Sequence, residues 1–433
     1  MRRLTALLIL IATWTEAVWA ERRFPLPQFT DHALPQTAYP LPGSGWLLSL
    51  DYLALLLALV LATYLSLVRR SRVGLFALTL VSLAYFGFYR HGCICAVGAI
   101  QNVAQSLGDH GYALPLSAAI FFLLPLIFAL FVGRVFCAAV CPLGAAQEVV
   151  LVKPVKIPVW LEHALGLIPF IYLGVAVLYA ATGASYLICQ YDPFVAFFRM
   201  SGSTTMLLAG GLLLVIAMFV GRVYCRVLCP YSALLRLVAP FAYWRVSVTP
   251  RECVQCRLCE DACPFGAINP PTPSSLRTPR LDGKRRLALL LLLLPLLVAG
   301  GAWLGYRGSA QLAAWHPTVR LATRVLLEDE GRVTGTTTES VAFRAQGVPT
   351  VALYQQALTL REQFRWGGLL LGAWIGLVLG GKLIALSIRR RQDSYEADPG
   401  RCLACGRCYR YCPVGRHAPA RDDSSRLTVT EHI

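Results

Sequence analysis

The sequence repeats one ten-residue pattern, which reads Gly133-Arg-Val-Phe-Cys-Ala-Ala-Val-Cys-Pro142 in its first copy and Gly221-Arg-Val-Tyr-Cys-Arg-Val-Leu-Cys-Pro230 in its second. An earlier cysteine precedes each copy at a similar spacing, Cys95 before the first and Cys189 before the second. An apolar segment separates each earlier cysteine from the pattern that follows it. Two copies of one helical unit predict a pair of helical hairpins, related by a pseudo-twofold axis, at the centre of a bundle.

Composition places this bundle in a membrane. The 433 residues are 56% hydrophobic and only 15% charged, which is too apolar for an ordinary water-soluble domain. About 20 apolar residues are needed to cross the hydrocarbon core. By that measure we predict about seven transmembrane helices, at residues 46–68, 73–89, 115–135, 164–184, 205–224, 286–304 and 367–388.

The distribution of charge predicts the orientation of the helices. The net charge is +17, from 40 Lys and Arg against 23 Asp and Glu, but the basic residues cluster beside apolar segments, as at 69–72 and 389–391. Loops rich in Lys and Arg face the cytoplasm, so this pattern indicates a membrane protein rather than a nucleic-acid-binding one. We therefore predict a multi-pass protein of the bacterial inner (cytoplasmic) membrane, in contact with lipid and with no nucleic-acid partner.

The N-terminus is typical of a secretory signal peptide over residues 1–20. Two basic residues, Arg2 and Arg3, precede an apolar stretch and a site resembling the A-x-A cleavage pattern. The alternative is an uncleaved membrane anchor. Both interpretations put the short segment 21–45 on the periplasmic side.

Two runs of four cysteines carry the strongest chemical signal. The first run consists of Cys253, Cys256, Cys259 and Cys263, and the second of Cys402, Cys405, Cys408 and Cys412. Soft thiolates spaced as Cys-x2-Cys-x2-Cys-x3-Cys-Pro hold the corners of a [4Fe-4S] cluster, whereas zinc sites favour two Cys-x2-Cys pairs with a longer gap. The runs therefore predict two [4Fe-4S] clusters and a role in electron transfer. The proline after each run predicts that a helix begins there.

The two runs are far apart in sequence, but the predicted membrane hairpin between them returns the chain to the same side. In two-cluster ferredoxins the fourth cysteine of each run serves the other cluster. We therefore expect Cys263 to join the second-run cluster and Cys412 the first-run cluster. The predicted fold class is an all-α polytopic membrane protein, internally duplicated, with a small cytoplasmic α+β ferredoxin-like module.

These expectations divide the chain into consecutive segments. After the signal peptide and the periplasmic segment, we predict a duplicated transmembrane bundle at 46–240, a first ferredoxin half at 241–270, a Pro/Ser-rich linker at 271–285, a transmembrane helix at 286–304, a periplasmic cap at 305–366 with amphipathic helices around 310–328 and 349–363, a second transmembrane helix at 367–388 and a second ferredoxin half at 389–433.

The repeated pattern supplies a second group of thiols, Cys137, Cys141, Cys225 and Cys229, called the bundle cysteines below. Cysteines at i and i+4 share a helical face, and the predicted symmetry brings both pairs toward one axis. They predict a third cluster at the cytoplasmic boundary. The alternative is that four small side chains simply pack between helices. The adjacent Arg134 and Arg222 either stabilise a reduced centre or, as is commoner for such arginines, extend to the membrane interface.

A third group, Cys93, Cys95 and Cys189, falls on the predicted periplasmic side. These cysteines either hold a further metal or cluster, form a disulfide that leaves one thiol over, or merely pack. The hydrocarbon core is roughly 30 Å thick, so cytoplasmic clusters alone do not reach a periplasmic partner. Either a redox centre lies at this third group or electrons are exchanged with a quinone in the bilayer. The seven histidines form no facing pairs of the kind that haem b requires.

The chain resembles the NapH/NosR-type membrane polyferredoxins. The resemblance rests on the two Cys-x3-Cys-Pro patterns, followed by the first cysteine run and then a second one, and covers roughly residues 90–410. It implies electron transfer between the quinone pool or a cytoplasmic donor and a periplasmic redox system. In the family the two runs usually lie close together in sequence, whereas a transmembrane hairpin separates them in this chain.

One further resemblance concerns flavin. Residues 334–340, TGTTTES, are loosely similar to the Ser-Gly-Ala-Thr-x-Thr-Ser sequence at which FMN is attached to threonine in some membrane redox subunits, and Thr337 would be the acceptor. The match departs at three positions and a polar turn is the plainer interpretation, so we do not expect FMN.

The function predicted from the sequence is relay of electrons between a cytoplasmic ferredoxin-like donor, or the quinone pool, and a periplasmic redox protein such as a flavoprotein docking on the cap. Quinol oxidation is the only enzymatic activity that this reading allows. One alternative is a redox-linked maturation or regulatory factor for another metalloenzyme. Another is an electron-driven ion-translocating subunit, which is disfavoured because Asp51 is the only carboxylate within a predicted span.

Overall fold

The structure is a computed structural model that describes residues 45–92, 95–109, 111–199, 203–248, 253–272, 280–388, 392 and 394–413. Several predictions lie outside these residues. They are the signal peptide, the segment 21–45 apart from its last residue, residues 273–279 of the linker, the end of the second ferredoxin half, and Cys93.

The described chain is mostly helical. Its helices are α1 (Gly45–Thr63), α2 (Arg72–Ser82), α3 (Ala96–Gly108), α4 (Leu116–Val132), α5 (Pro142–Val149), α6 (Val159–Leu165), α7 (Ile168–Ala181), α8 (Leu187–Tyr191), α9 (Pro193–Arg199), α10 (Thr204–Phe219), α11 (Val223–Val227), α12 (Pro230–Val238), α13 (Leu258–Ala262), α14 (Arg280–Ala314), α15 (Pro317–Asp329), α16 (Thr338–Ala345), α17 (Thr350–Ser387) and α18 (Arg407–Tyr411). Wider π-helical turns extend α1 over Tyr64–Val68 and α2 over Leu83–Tyr89, and a third forms Phe136–Val140.

Five helical segments among the described residues are long and apolar enough to cross a membrane: Trp46–Val68, Arg72–Tyr89, Val159–Ala181, Gly283–Ala314 and Thr350–Ser387. The other two predicted spans are shorter. The helix at 115–135 ends at Val132, and the one at 205–224 ends at Phe219. Length and composition therefore give five candidate spans, and the count of seven stays a prediction.

Both shortened helices end at the repeated Gly-Arg dipeptide. In the first copy Gly133 has a φ of +76°, which costs glycine little because it has no Cβ. In the second copy the residue with positive φ is Arg222, at +50°, where a non-glycine residue loses roughly 1–2 kcal/mol. The chain turns at both places and carries the bundle cysteines on the short helices that follow, so the repeat interrupts the spans instead of continuing them.

The two longest helices, α14 and α17, pack along each other as a hairpin. Their contact is lined by glycines spaced four apart, Gly301 and Gly305 on α14 and Gly368, Gly372 and Gly376 on α17. A methyl group on any of these would overlap a backbone carbonyl oxygen of the other helix. Glycine therefore lets the two backbones touch, as small residues do between membrane helices.

The segment between these two spans is also helical. The predicted amphipathic pieces appear as α15 and as the first turns of α17, with α16 between them. Val319 and Val325 of α15 pack with Phe343, Leu353 and Ala357 in a small apolar cluster. Because α17 has 38 residues, it is about 57 Å long, far more than the roughly 30 Å hydrocarbon core.

The hairpin also joins the two cysteine runs. A two-stranded antiparallel sheet links β1 (Ile268–Asn269), just after the first run, to β2 (Glu396–Ala397), just before the second. The short helices α13 and α18, one in each run, pack against each other. Two segments that are far apart in sequence thus form one structural unit, which lies against α2 through contacts of α18.

Candidate metal centres

The two cysteine runs follow the same backbone path. In the first run Gln255 and Arg257 have positive φ, and in the second Ala404 and Gly406 do, so the second and fourth residues after the first cysteine are left-handed in both. Alternation of this kind turns successive backbone N–H groups toward one point and forms a concave anion site, as at many iron–sulfur centres. In the second run the Ala404 N–H donates to Cys402 Sγ at 3.4 Å.

A cavity in the second run is completed by a cysteine of the first. Cys402, Cys405 and Cys408 line it together with Cys263 and the neighbouring apolar Phe265. Cys263 also lies within electrostatic range of all three second-run thiols. The structure thus places Cys263 beside the second run, which is the arrangement that exchanged ligation requires.

The first run is more open to solvent. Cys256 is exposed and Cys253 half-buried, whereas Cys259 is buried and lies within electrostatic range of both. Burial raises the pKa of the Cys259 thiol to about 11. Cys412 directly follows α18, the helix that packs on α13. In the second run Cys405 is buried and Cys402 and Cys408 are half-buried, and Cys263 beside them is buried. Burial raises the pKa of Cys402 to about 12.

The chemistry of these donor sets fits iron–sulfur clusters. Four thiols around an apolar cavity, with backbone amides aimed at sulfur, supply the soft ligands and hydrogen bonds that such clusters use. Among the described residues, no three His, Cys, Asp or Glu side chains are grouped closely enough to hold a single metal ion. In a cubane each thiolate binds a different iron, so its sulfurs stand further apart than the ligands of one ion.

The prolines after the cysteines have two different effects. Cys141 and Cys229 each directly precede a helix whose first residue is proline, α5 and α12, as the pattern predicts. The same prediction is wrong for the first cysteine run, and for the second run the residues after Pro413 lie outside the described chain. Cys263 and Cys412 follow the last residues of α13 and α18, because the tight loop of each run already contains its helix before the proline is reached.

The four bundle cysteines converge, as the repeat predicts. All are buried, and Cys229 lies within electrostatic range of Cys137, Cys141 and Cys225. Side chains of one copy contact the other: Gln147 Nε2 donates to Cys225 Sγ at 3.5 Å, and its Oε1 accepts from the Tyr224 N–H at 2.9 Å. The two copies therefore enclose a thiol-lined site.

The repeated arginines are buried, not extended to the interface. Arg134 is 2% exposed and Arg222 fully buried. Arg134 donates to Ser232 Oγ of the second copy at 2.6 Å and to the Gly400 carbonyl, just before the second run, at 3.0 Å. Arg222 donates to the carbonyls of Cys137 and Ala138 in the first copy. The interfacial interpretation is wrong because each guanidinium crosses to the opposite copy and finds oxygen acceptors there.

Sequence reasoning missed Glu148, which holds this region together. Its carboxylate is fully buried and pairs with Arg72 at 2.5 Å, Arg222 at 3.0 Å and Arg407 at 2.7 Å. Burial alone would raise the pKa of Glu148, but the three guanidinium charges outweigh it and lower the pKa to about 2. The signal in the sequence was a lone glutamate in the apolar stretch after Cys141-Pro142.

The third predicted group is placed in part. Cys95 directly precedes α3, Cys189 lies in α8, and the two thiols are within electrostatic range of each other and of Asp192. Asp192, a second buried carboxylate that the sequence did not single out, accepts from Tyr224 Oη at 2.9 Å. Cys95 is a free thiol, so it is not bonded to Cys189. Cys95 also lies within range of Cys141.

The other residues singled out from the sequence have structural partners. Thr337 directly precedes α16, where its hydroxyl accepts from the Ser340 N–H at 3.3 Å, and the expectation that it carries no FMN stays a prediction. Asp51 is buried, accepts from Tyr85 Oη at 2.9 Å and pairs with Arg90 at 2.6 Å.

The thiol groups form one continuous series. The first run reaches the second through Cys259 and Cys408. The second run is joined to the bundle cysteines through Glu148. This carboxylate pairs with Arg407 of the second run and with Arg222, which donates to the Cys137 carbonyl. The bundle cysteines reach Cys95 through Cys141. Each group is therefore adjacent to the next.

Comparison with known protein families supports iron–sulfur binding. One model, described as a 4Fe-4S binding domain, matches residues 114–161 and 203–247, and thus both Cys-x3-Cys-Pro patterns. A second 4Fe-4S binding domain model matches residues 246–269, which contain the first run. No solved structure matches the chain.

Curated relatives come from bacteria and archaea. An uncharacterized protein of Methanocaldococcus jannaschii is 30% identical over 42% of this chain and 69% of its own length. The putative electron transport protein YccM of Escherichia coli is 26% identical over 32% of this chain and 43% of its own length. The regulatory protein NosR of Pseudomonas aeruginosa is 31% identical, over 47% of this chain and 30% of its own. The matches and the apolar helices identify a membrane-bound iron–sulfur electron-transfer protein. The chain belongs to the NapH/NosR-type membrane polyferredoxins.

Proposed function

We propose that the chain relays electrons through a series of iron–sulfur centres, from an exposed cluster at the first run, through a buried cluster at the second run, to a centre held by the bundle cysteines. The observation that carries this proposal is the placement of the thiol groups. Cys263 of the first run lines the cavity of the second run, and the arginines around Glu148 join the second run to the bundle cysteines. An iron–sulfur cluster supplies one-electron transfer when bound. The residues supply its ligands, its burial and the charges around it.

The ligand sets follow from the placement of the thiols. We assign Cys402, Cys405, Cys408 and Cys263 to the buried cluster, and Cys253, Cys256, Cys259 and Cys412 to the exposed one. The paired short helices and the sheet between β1 and β2 support a ferredoxin-like module built from both runs. Cys137, Cys141, Cys225 and Cys229 hold a third centre in the proposal.

The two ends of the series suggest the partners. Cys256 is exposed, so the first run suits exchange with a water-soluble carrier, and the basic loops favour a carrier in the cytoplasm. The other end lies among spans, near Cys95, where a membrane quinone or a periplasmic redox protein exchanges electrons. The helices α15 and α16 offer the periplasmic partner a surface between the two long spans.

A regulatory or maturation role is the second candidate. One relative that matches 47% of this chain is named a regulatory protein, and electron delivery to an assembling metalloenzyme would use the same relay. The two functions differ in stoichiometry. A maturation factor acts on each partner molecule once, whereas a respiratory relay turns over continuously with its donor and acceptor.

The third centre provides the test of the relay. In a variant with Cys137→Ser and Cys225→Ser we expect iron and acid-labile sulfide to fall by about one third, because one of three [4Fe-4S] clusters loses two ligands. The EPR signals of the two cysteine runs should remain. Electron passage from the soluble side to a quinone analogue in proteoliposomes should be lost.

The matched control is Ala139→Ser, which adds a hydroxyl to the same buried turn without removing a thiol. It should keep its full iron content. If the double cysteine variant also retains all of its iron, the bundle cysteines hold no cluster and the relay ends at the second run.

A further inference from the structure

Glu148 lies where the bundle cysteines meet the second run. Each of its three arginines contacts a different part of that junction. Arg72 donates to the Cys405 carbonyl at 3.0 Å. Arg222 donates to the Cys137 carbonyl. Arg407 lies between Cys405 and Cys408 in the second run itself. One carboxylate thus joins three side chains that hold the two thiol groups in place.

A carboxylate stands at this position in only one of the two copies of the repeat. Glu148 is the seventh residue after Cys141, and the seventh residue after Cys229 is Arg236. The arginine of the second copy therefore meets a carboxylate, since Arg222 pairs with Glu148. The arginine of the first copy faces another cation, because Arg134 and Arg236 lie within electrostatic range of each other. The charges around the bundle centre are asymmetric although the fold is repeated.

The asymmetry matters because clusters are anionic and gain a further negative charge on reduction. Three guanidinium groups around one carboxylate leave a surplus of positive charge between the two thiol groups. In a buried setting such charges interact far more strongly than in water. Positive charge favours the reduced state of a nearby cluster, and the Glu148 carboxylate opposes it.

We propose that Glu148 is a positioning residue of the junction, which fixes the second run against the bundle cysteines through its arginines and lowers the reduction potential of the clusters on both sides. The inference rests on the proposed relay and adds the group that sets its potentials. Glu148 binds no iron in this proposal. It positions Arg72, Arg222 and Arg407, and its negative charge offsets part of theirs.

The variant that tests it is Glu148→Gln, which removes the charge and nearly preserves the shape. At a fixed potential we expect the ratio of reduced to oxidised cluster at the second run to rise at least tenfold, a shift of 59 mV or more for one electron. The measurement is an EPR-monitored titration with dithionite on the purified full-length protein. Iron content is determined on the same sample.

A second variant separates charge from folding. Glu148→Gln combined with Arg407→Gln restores the net charge of the junction, so its potential should return toward the wild-type value. A purely structural role for Glu148 would not produce this return. The matched control is Glu328→Gln, a carboxylate that pairs with Arg324 and Arg344 in the segment between the long spans, and it should leave every potential unchanged.

The outcomes for the two proposals are distinct. If wild-type protein binds clusters that are reduced but Glu148→Gln leaves their potentials unchanged, the inference about Glu148 is wrong and the relay stands. A fall in potential in Glu148→Gln, or no return in the double variant, would equally overturn it. If wild-type protein holds no reducible cluster, the relay itself fails.

Discussion

Replacing Cys263 with serine is expected to damage the cluster of the second run and not that of its own run. Cys263 lines the cavity of Cys402, Cys405 and Cys408 and lies within electrostatic range of all three. Loss of one of four thiolates removes or degrades a cubane cluster. The EPR signal of the buried cluster should therefore disappear, while the exposed cluster keeps its signal.

Double variants decide which cluster Cys263 serves. With exchanged ligation, Cys263→Ser and Cys405→Ser remove ligands from the same cluster, so their combination damages one cluster only. Cys263→Ser with Cys256→Ser removes a ligand from each of two clusters, and the EPR signals of both should be lost. Ligation within each run predicts the reverse, with two clusters lost in the first combination and one in the second. That reversed pattern would contradict the assignment of Cys263 to the second run.

The sequence is informative about these centres because cluster ligation is local chemistry. The spacing of the cysteines sets the tight loop, and both runs adopt the same path with left-handed residues at equivalent positions. The repeated pattern likewise predicts that the bundle cysteines come together, and they do. In both cases the cysteines proposed to bind the clusters are the same residues that form the sequence pattern.

Glu148 shows why other parts of the site were not predictable. Its partners come from residues 72, 222 and 407, which only the tertiary fold brings together. A single glutamate in an apolar stretch gives no indication of three arginines around it. Asp192 was not predictable either. Its hydrogen-bond donor is Tyr224, which occupies the position at which the first copy of the repeat has Phe136.

The membrane spans were predictable in position but not in extent. Hydropathy locates apolar stretches, whereas the ends of α4 and α10 depend on where the backbone turns at Gly133 and Arg222. The two long helices continue past the apolar stretch because polar residues also favour helix when a partner helix packs alongside. The glycines that allow this packing were visible in the sequence as a four-residue spacing.

The second large effect is expected in the α14–α17 hairpin. Alanine in place of glycine usually stabilises a helix by roughly 1 kcal/mol. At Gly372 the added methyl would overlap the Gly301 carbonyl, and overpacking of this kind costs about 1–3 kcal/mol or more. The steric cost therefore exceeds the gain in helix propensity, since the overlap is removed only if the two backbones separate along their whole contact. Gly372→Ala should therefore lower the midpoint of thermal unfolding in detergent, and Gly372→Leu should prevent the hairpin from closing.

Gly300→Ala is the matched control, because a methyl at this position of α14 meets no neighbouring atom and only the helix-propensity gain remains. It should leave the unfolding midpoint unchanged or raise it, although Gly300 adjoins Gly301 in the sequence. Since the hairpin connects the first run to the second, its opening should also release the iron of the shared second-run cavity before that of the bundle cysteines. Equal midpoints for Gly372→Ala and Gly300→Ala would show that the close glycine contact does not hold the hairpin together.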